Sequence, residues 1–333
     1  MKIDNVVRIV DGVLHTTPSI DAFERVVLDV NRVLRGDLFI DTENSAQATH
    51  EACEKGAYAI VSTRPFEGDD SELAWICVSS LEQALIKLLR YHIAEKSLHC
   101  VLFSPLQASF FEMLHSPKSI KIVQGSLIQT TQQLFRAKEG EWFGLIDPAL
   151  CQQIAPSAFS LEAFVEEESS TSKGLFLSSF WHHERYCLDQ KLPSLFKSEC
   201  LAVLRFCDTH AIAYTLENLN FTEHFYPQFV TPNLRKKEFG SSDKVLIFEP
   251  SEMLLETEIA YLQMHCEAKQ WLLVLPKSYH NTLTCEASIL RYALPHDISL
   301  LKEIPFLYAL ILGDKEAFEP LLNQSFINQP CLF

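Results

Sequence analysis

Chemistry in this chain would start from its histidines, thiols and carboxylates, and among its 333 residues are 12 histidines and 10 cysteines. The densest group is His182-His183-Glu184, with Cys187 close behind. These side chains are ligand types for a divalent transition metal. Adjacent residues on a strand point to opposite faces, however, so the two histidines are read as not sharing an ion. No CxxC or HExxH accompanies them, and no metal is expected. Cys200, Cys207 and His210 form a second group, whose thiols fall on one helix face and read as core. Glu249 and Glu252 flank a strand end, where ligands of open α/β sheets commonly sit. The plain alternative is a solvated loop acid followed by a first-turn acid that favours the helix dipole. Cysteine–histidine catalysis would need one pair singled out, and the sequence offers too many. A phosphate cradle needs glycines and a Gly-Lys-Ser/Thr step. That step occurs nowhere, and with 10 glycines in all a second glycine-rich loop is not available.

The elements that must position these groups follow from the apolar pattern. VVRIVDG, VVLDV, LFID and AYAIVST carry the β-branched runs of strands. Between the last two lies SAQATHEACEKGA, a helix expected to end on Gly56. WICVSS is a further strand. Ser80, with Gln83 three residues on, starts a helix that carries Leu81, Ala84, Leu85, Leu88, Leu89 and His92 on its stripe. HCVLFSP, SIKIVQG, WFGLID and GLFLSSF read as strands, ASFFEMLH as a helix, and Leu195 to Cys207 as a buried helix. The run Glu166 to Gly174 is the most loop-like stretch. KVLIFEP, WLLVLP and FLYALILG are strands, with Leu255, Ile259, Leu262 and Cys266 forming a helical stripe between the first two. Strands alternating with helices favour parallel sheets.

Composition limits the partners. The chain is 47% hydrophobic and 21% charged, an ordinary globular balance. A net charge of -15 repels nucleic acid and anionic lipid, so neither is an expected partner. The basic run Arg235-Lys236-Lys237 reads as a solvated loop. The longest apolar stretch, Ile304 to Gly313, is about half of the ~20 residues a bilayer requires and reads as a buried strand. No signal peptide is apparent at MKIDNVVRIVDG. Scattered cysteines within apolar runs (Cys77, Cys100, Cys207) read as reduced thiols without disulfides, and the expected location is the cytoplasm.

The segment from Val27 to Thr63 resembles the N-terminal domain of the Mur ligases, the enzymes that build the UDP-muramoyl peptide. The matching residues are Asp29, Val33, Gly36-Asp37-Leu38-Phe39, Ala52, Gly56-Ala57 and Ala59-Ile60-Val61. They are scaffold positions: Gly36 suits a tight turn before a strand, and Gly56 a helix terminus. Where the family's serine and arginine meet the uridine nucleotide, this chain has Val30 and Asn31. The resemblance therefore leaves Asp29 and Asn31 as candidate ligand-binding positions, with Glu249 added from the strand-end reading.

The family's central domain opens with a strand and a phosphate cradle on a helix N-terminus. Here the corresponding stretch is CVLFSPLQASFFEML. Ser104, Pro105, Gln107 and Ser109 fall within the degenerate loop, with Ser109 where the lysine belongs and Phe110 where the hydroxyl belongs. Pro105 removes a donor, and no glycine is present. The resemblance thus implies an α/β protein: a Mur-ligase-like N-terminal α/β domain over 1–97, a degenerate ATPase-like domain over 98–240, and a C-terminal α/β region over 241–333. The expected function is that of a non-catalytic binding or scaffold protein of cell-wall synthesis. No nucleotide binding and no cofactor are expected, and cell-wall synthesis proteins or a UDP-sugar-like ligand are the expected partners. The alternatives are an active ligase with an atypical nucleotide site and an unrelated α/β protein.

Overall fold

The computed structural model describes residues 1–66, 72–114, 120–162 and 171–323. The chain forms two compact units, one of Met1–Ala108 with Pro117–Leu161 and the other of Ser109–Ser116 with Glu162–Phe333.

The first unit opens with α1 (Ile3–Val10), then β1 (Val13–Leu14), β2 (Val26–Val27), β3 (Leu38–Ile40), α2 (Ala46–Glu54), β4 (Ala59–Ser62), β5 (Ala74–Cys77) and α3 (Leu81–Glu95). One expectation fails here. VVRIVDG is not a strand but most of α1, because Ile3, Val6 and Val10 share one helical face and are buried on it. β-Branched composition misled where spacing would have served. The strands line up as β1-β5-β4-β3-β2, parallel except for the β1 edge. Alternation along the strands feeds two layers. Leu38, Ile40, Val61 and Ile76 face α1 and α3, while Phe39, Ile60 and Trp75 pack with Ala48 and Ala52 of α2. Leu38, Phe39, Ala57, Ile60 and Val61 are all buried, as the turn and strand motifs predict.

The same unit continues with β6 (His99–Leu102), the start of α4 (Pro105–Leu114), β7 (Ile120–Val123), α5 (Leu127–Leu134), β8 (Trp142–Leu145), α6 (Pro148–Ile154) and β9 (Phe159–Ser160). These four strands form a parallel sheet in the order β7-β8-β6-β9. Its core joins Cys100, Val123, Phe143 and Leu145 to Leu89, Leu134 and Ile154 of the helices.

The second unit holds β10 (Thr171–Lys173), β11 (Leu177–His182) and β12 (Arg185–Gln190), an antiparallel sheet followed by α7 (Lys197–Thr209). The loop reading of Glu166 to Gly174 is thus replaced by a strand over Thr171–Lys173, and its residues 166–170 lie outside the described residues. Then come β13 (Tyr226–Val230), β14 (Lys244–Glu249), α8 (Glu252–His265), β15 (Trp271–Pro276), β16 (Ser288–Tyr292), β17 (Tyr308–Leu312) and α9 (Lys315–Leu322). Their order is β13-β14-β17-β15-β16, parallel except for the β13 edge. The core of this sheet runs through Leu246, Phe248, Val274 and Ile311 to Phe318. The architecture is α/β with parallel sheets. The nine described cysteines are free thiols, and Cys331 lies outside the described residues. No helix among the described residues is long and apolar enough to cross a membrane.

Candidate functional site

The Gly36-Asp37 turn is a clamp. Gly36 sits at φ +94 and Gly56 at φ +81, conformations a side chain would strain, and the Gly36 N–H donates to the Gly56 carbonyl at 3.0 Å. Asp37 is buried and accepts from Arg25 Nε (3.0 Å), Arg25 Nη2 (2.7 Å) and the Leu34 N–H (2.8 Å). The Asp37 hydrogen bond and charge push the Arg25 guanidinium further up. This spends Asp37 on the scaffold.

Beside the clamp, the same unit has a cleft of about 680 Å³ whose walls include Arg25, Asp29, Arg32, Lys96, Phe135 and Arg136. Asp29 caps a short 3-10 turn, Val30–Arg32, by accepting from the Asn31 N–H at 3.0 Å, and it pairs with Arg32 Nε at 3.3 Å. Asn31 turns its amide back onto Asp29 at 3.2 Å and is not part of the cleft wall. The structure therefore places one of the two N-terminal candidates on the cleft. It adds Arg32, one residue beyond the position where the sequence motif lacks an arginine.

At the end of β6 the chain turns through Ser104 into α4. The Ser104 hydroxyl accepts from the Gln107 N–H at 3.1 Å, and the Ser104 N–H donates to Gln107 Oε1 at 3.0 Å. This reciprocal cap uses backbone donors that a phosphate cradle would have to present. The Ala108 N–H goes to the Ser104 carbonyl at 2.9 Å, and Pro105 has no N–H to offer. Gln107 is buried and also donates to the Leu161 carbonyl at 3.0 Å, which fixes the cap in place. Phe110 is buried as well. A helix N-terminus still follows the strand, but its Gln107 N–H is taken by the Ser104 hydroxyl and its Ala108 N–H by the Ser104 carbonyl.

Glu249 ends β14, and the solvated-loop alternative fails for it, because it is fully buried. Its carboxylate accepts from His224 Nδ1 (2.8 Å), the Phe225 N–H (3.1 Å) and the Ser251 N–H (2.8 Å). Ser251 caps α8 through its hydroxyl, and Glu252 is the exposed first-turn acid. Glu258, on the inner face of α8, is also fully buried. Burial and the neighbouring Glu249 push Glu258 well above the ordinary carboxylate value. Burial alone would raise Glu249 too, but its hydrogen bonds from His224 and the Ser251 N–H outweigh that and hold it low. The two carboxyls are thus driven apart, Glu258 toward its protonated form and Glu249 toward its charged form. The sequence reading found Glu249 but missed His224 and Glu258. The signal for Glu258 was an acid inside the apolar stripe of Leu255, Ile259 and Leu262.

The paired histidines need a correction. His182 is the last residue of β11, but His183 lies in the turn that the His182–Arg185 pairing closes, at φ +51. Strand alternation therefore does not apply to it. Left-handed backbone brings the His183 ring beside the His182 ring, with centroids 4.4 Å apart. Cys187 is buried in β12, while Cys200 and Cys207 are buried on α7, as the core reading of those two thiols requires. Burial pushes the Cys207 thiol up to about 12.

No protein-family model matches this chain, and no curated protein matches it. Solved structures do. MurF ligase from Thermotoga maritima in complex with ADP superposes with a TM-score of 0.55 at 16% identity, covering 90% of this chain and 97% of that one. Crystal structure I of MurF from Acinetobacter baumannii gives a TM-score of 0.53 at 10% identity, covering 97% of this chain and 99% of the other. At these identities the likeness is one of fold, and it extends far beyond the N-terminal motif.

Proposed function

We propose that this chain, which has the Mur-ligase fold, is a non-catalytic relative of those enzymes that serves as a binding or scaffold protein in bacterial cell-wall synthesis, in the cytoplasm. In this reading residues 1–97, 98–240 and 241–333 correspond to the three ligase domains, and the middle stretch contributes to both compact units. The observation that carries the proposal is the closed cap at Ser104 and Gln107. The sequence resemblance assigns this stretch to the ligase phosphate cradle, and no Gly-Lys-Ser/Thr step exists elsewhere to replace it. The cleft beside Asp29 and Arg32 supports a retained binding role, with a UDP-sugar-like molecule as the candidate ligand.

Isothermal titration with MgATP tests the proposal. Each charge-assisted hydrogen bond is worth about 1.5–3 kcal/mol, so losing three removes at least ~4.5 kcal/mol, roughly a thousandfold in affinity. The expected result is no binding at physiological concentration. Ser109→Lys alone is expected not to rescue it, because Pro105 and the Ser104–Gln107 cap remain. A micromolar dissociation constant for the unmodified protein would sink the proposal and favour an active ligase with an atypical nucleotide site.

A further inference from the structure

Among the described residues, His182, His183 and Asp208 bring one ligand atom each to within 4.8 Å of one another. Three elements meet there: the end of β11, the β11–β12 turn and the last turn of α7. Asp208 Oδ2 lies 3.1 Å from His183 Nε2 and 3.7 Å from His182 Nε2. A tetrahedral zinc with bonds of ~2.0–2.1 Å holds its ligand atoms about 3.3–3.4 Å apart, and the two distances bracket that edge. The site also has an organised outer layer. The Tyr214 hydroxyl donates to Asp208 Oδ1 at 2.8 Å, leaving Oδ2 as the oxygen directed at the histidines. Carboxylates that orient through a second hydrogen bond are the usual support of metal ligands. His182 is only 11% exposed and His183 is 66% exposed, so the site has a buried wall and an open side from which an ion can enter.

We infer that His182, His183 and Asp208 bind a zinc ion, with water in the fourth position. Imidazole and carboxylate donors without thiolate suit zinc, and the hard cations magnesium and calcium prefer all-oxygen sites. His182 Nε2 contacts the Tyr214 hydroxyl. Zinc needs the Nε2 lone pair, so on binding His182 carries its proton on Nδ1 and the Tyr214 contact is released. The ion would pin the β11–β12 turn to the end of α7. This inference is independent of whether the chain binds nucleotide.

The test uses the full chain, stripped with a chelator and titrated with zinc against a chromophoric competitor. One saturable equivalent is expected, with affinity reduced about tenfold or more in His183→Asn and in Asp208→Asn. Asparagine tolerates the left-handed turn at position 183, and circular dichroism checks that both variants fold. Cobalt substitution provides a second readout: visible ligand-field bands without a near-ultraviolet thiolate band are expected. Absence of saturable binding, unchanged affinity in both folded variants, or a thiolate-to-cobalt band from the cysteines would each overturn the assignment.

Discussion

The ends of β6 and β14 can be set side by side, for each strand hands the chain to a helix at a place where α/β proteins commonly bind ligands. The two junctions are finished in opposite ways. At β6 the polar groups are served by a residue three positions away: Ser104 and Gln107 satisfy one another, and a proline fills the first helical position. At β14 the polar groups come from three separate stretches of chain and meet out of water, with two carboxyl groups and an imidazole in one cluster. A local cap holds a junction closed at small cost, with one long-range hydrogen bond, from Gln107 to the Leu161 carbonyl, steadying it here. A buried cluster depends on every partner and fails steeply when one is removed.

The largest expected effect comes from Glu249→Ala, which leaves His224 Nδ1 and the Phe225 and Ser251 N–H groups without their acceptor. Removing one member of a buried charged network costs about 3–5 kcal/mol, and urea denaturation should show a matching drop in midpoint. A loss below about 1 kcal/mol would mean that the two junctions do not differ in the way described.

A smaller effect of opposite sign is expected from Glu258→Gln. The folded value of Glu258 lies above its unfolded value, so its favourable contribution is complete below the ordinary carboxylate range of about 4.3. That contribution is lost as pH rises towards the folded value. The amide needs no proton. The variant should therefore be the more stable protein at pH 7–8, by an advantage that shrinks as pH falls through the carboxylate range. Parallel denaturation curves at neutral and acidic pH decide this, and an advantage independent of pH would argue against a protonated Glu258.

The smallest expected change is at the closed junction. Ser104→Ala removes one half of the reciprocal cap and should cost roughly 1 kcal/mol, within the 0.5–2 range for such caps. Freed of its serine, the helix end should still not bind MgATP, because Pro105 remains and no lysine is present. Acquisition of nucleotide binding in this variant would show that the cap alone was the block.

This contrast also explains what the sequence allowed to be read. The β6 junction was legible because its chemistry is contiguous, and the Gly36 and Gly56 turns were legible because few residues other than glycine suit their backbone. Glu249 could be found from its place at a strand end, but its partners could not, since His224 precedes the edge strand β13, which went unpredicted. α1 was misread because Val6, Val7 and Val10 are β-branched, although Ile3, Val6 and Val10 already lay on one helical face. Strand alternation applies to His182 alone, because His183 lies in the turn after β11. A positive φ at a non-glycine turn residue leaves little trace in composition, so the convergence with Asp208 became visible only with the backbone.

The upward shift of Glu258 has a calorimetric consequence. At neutral pH the unfolded chain carries this side chain as a carboxylate, so the upward shift means that folding draws protons from solution and unfolding returns them to the buffer. The heat absorbed in a thermal scan then includes the buffer's own heat of protonation. Scans in phosphate and in Tris should differ in the wild-type protein and differ less in Glu258→Gln. Heats measured for this chain in different buffers become comparable only after that correction.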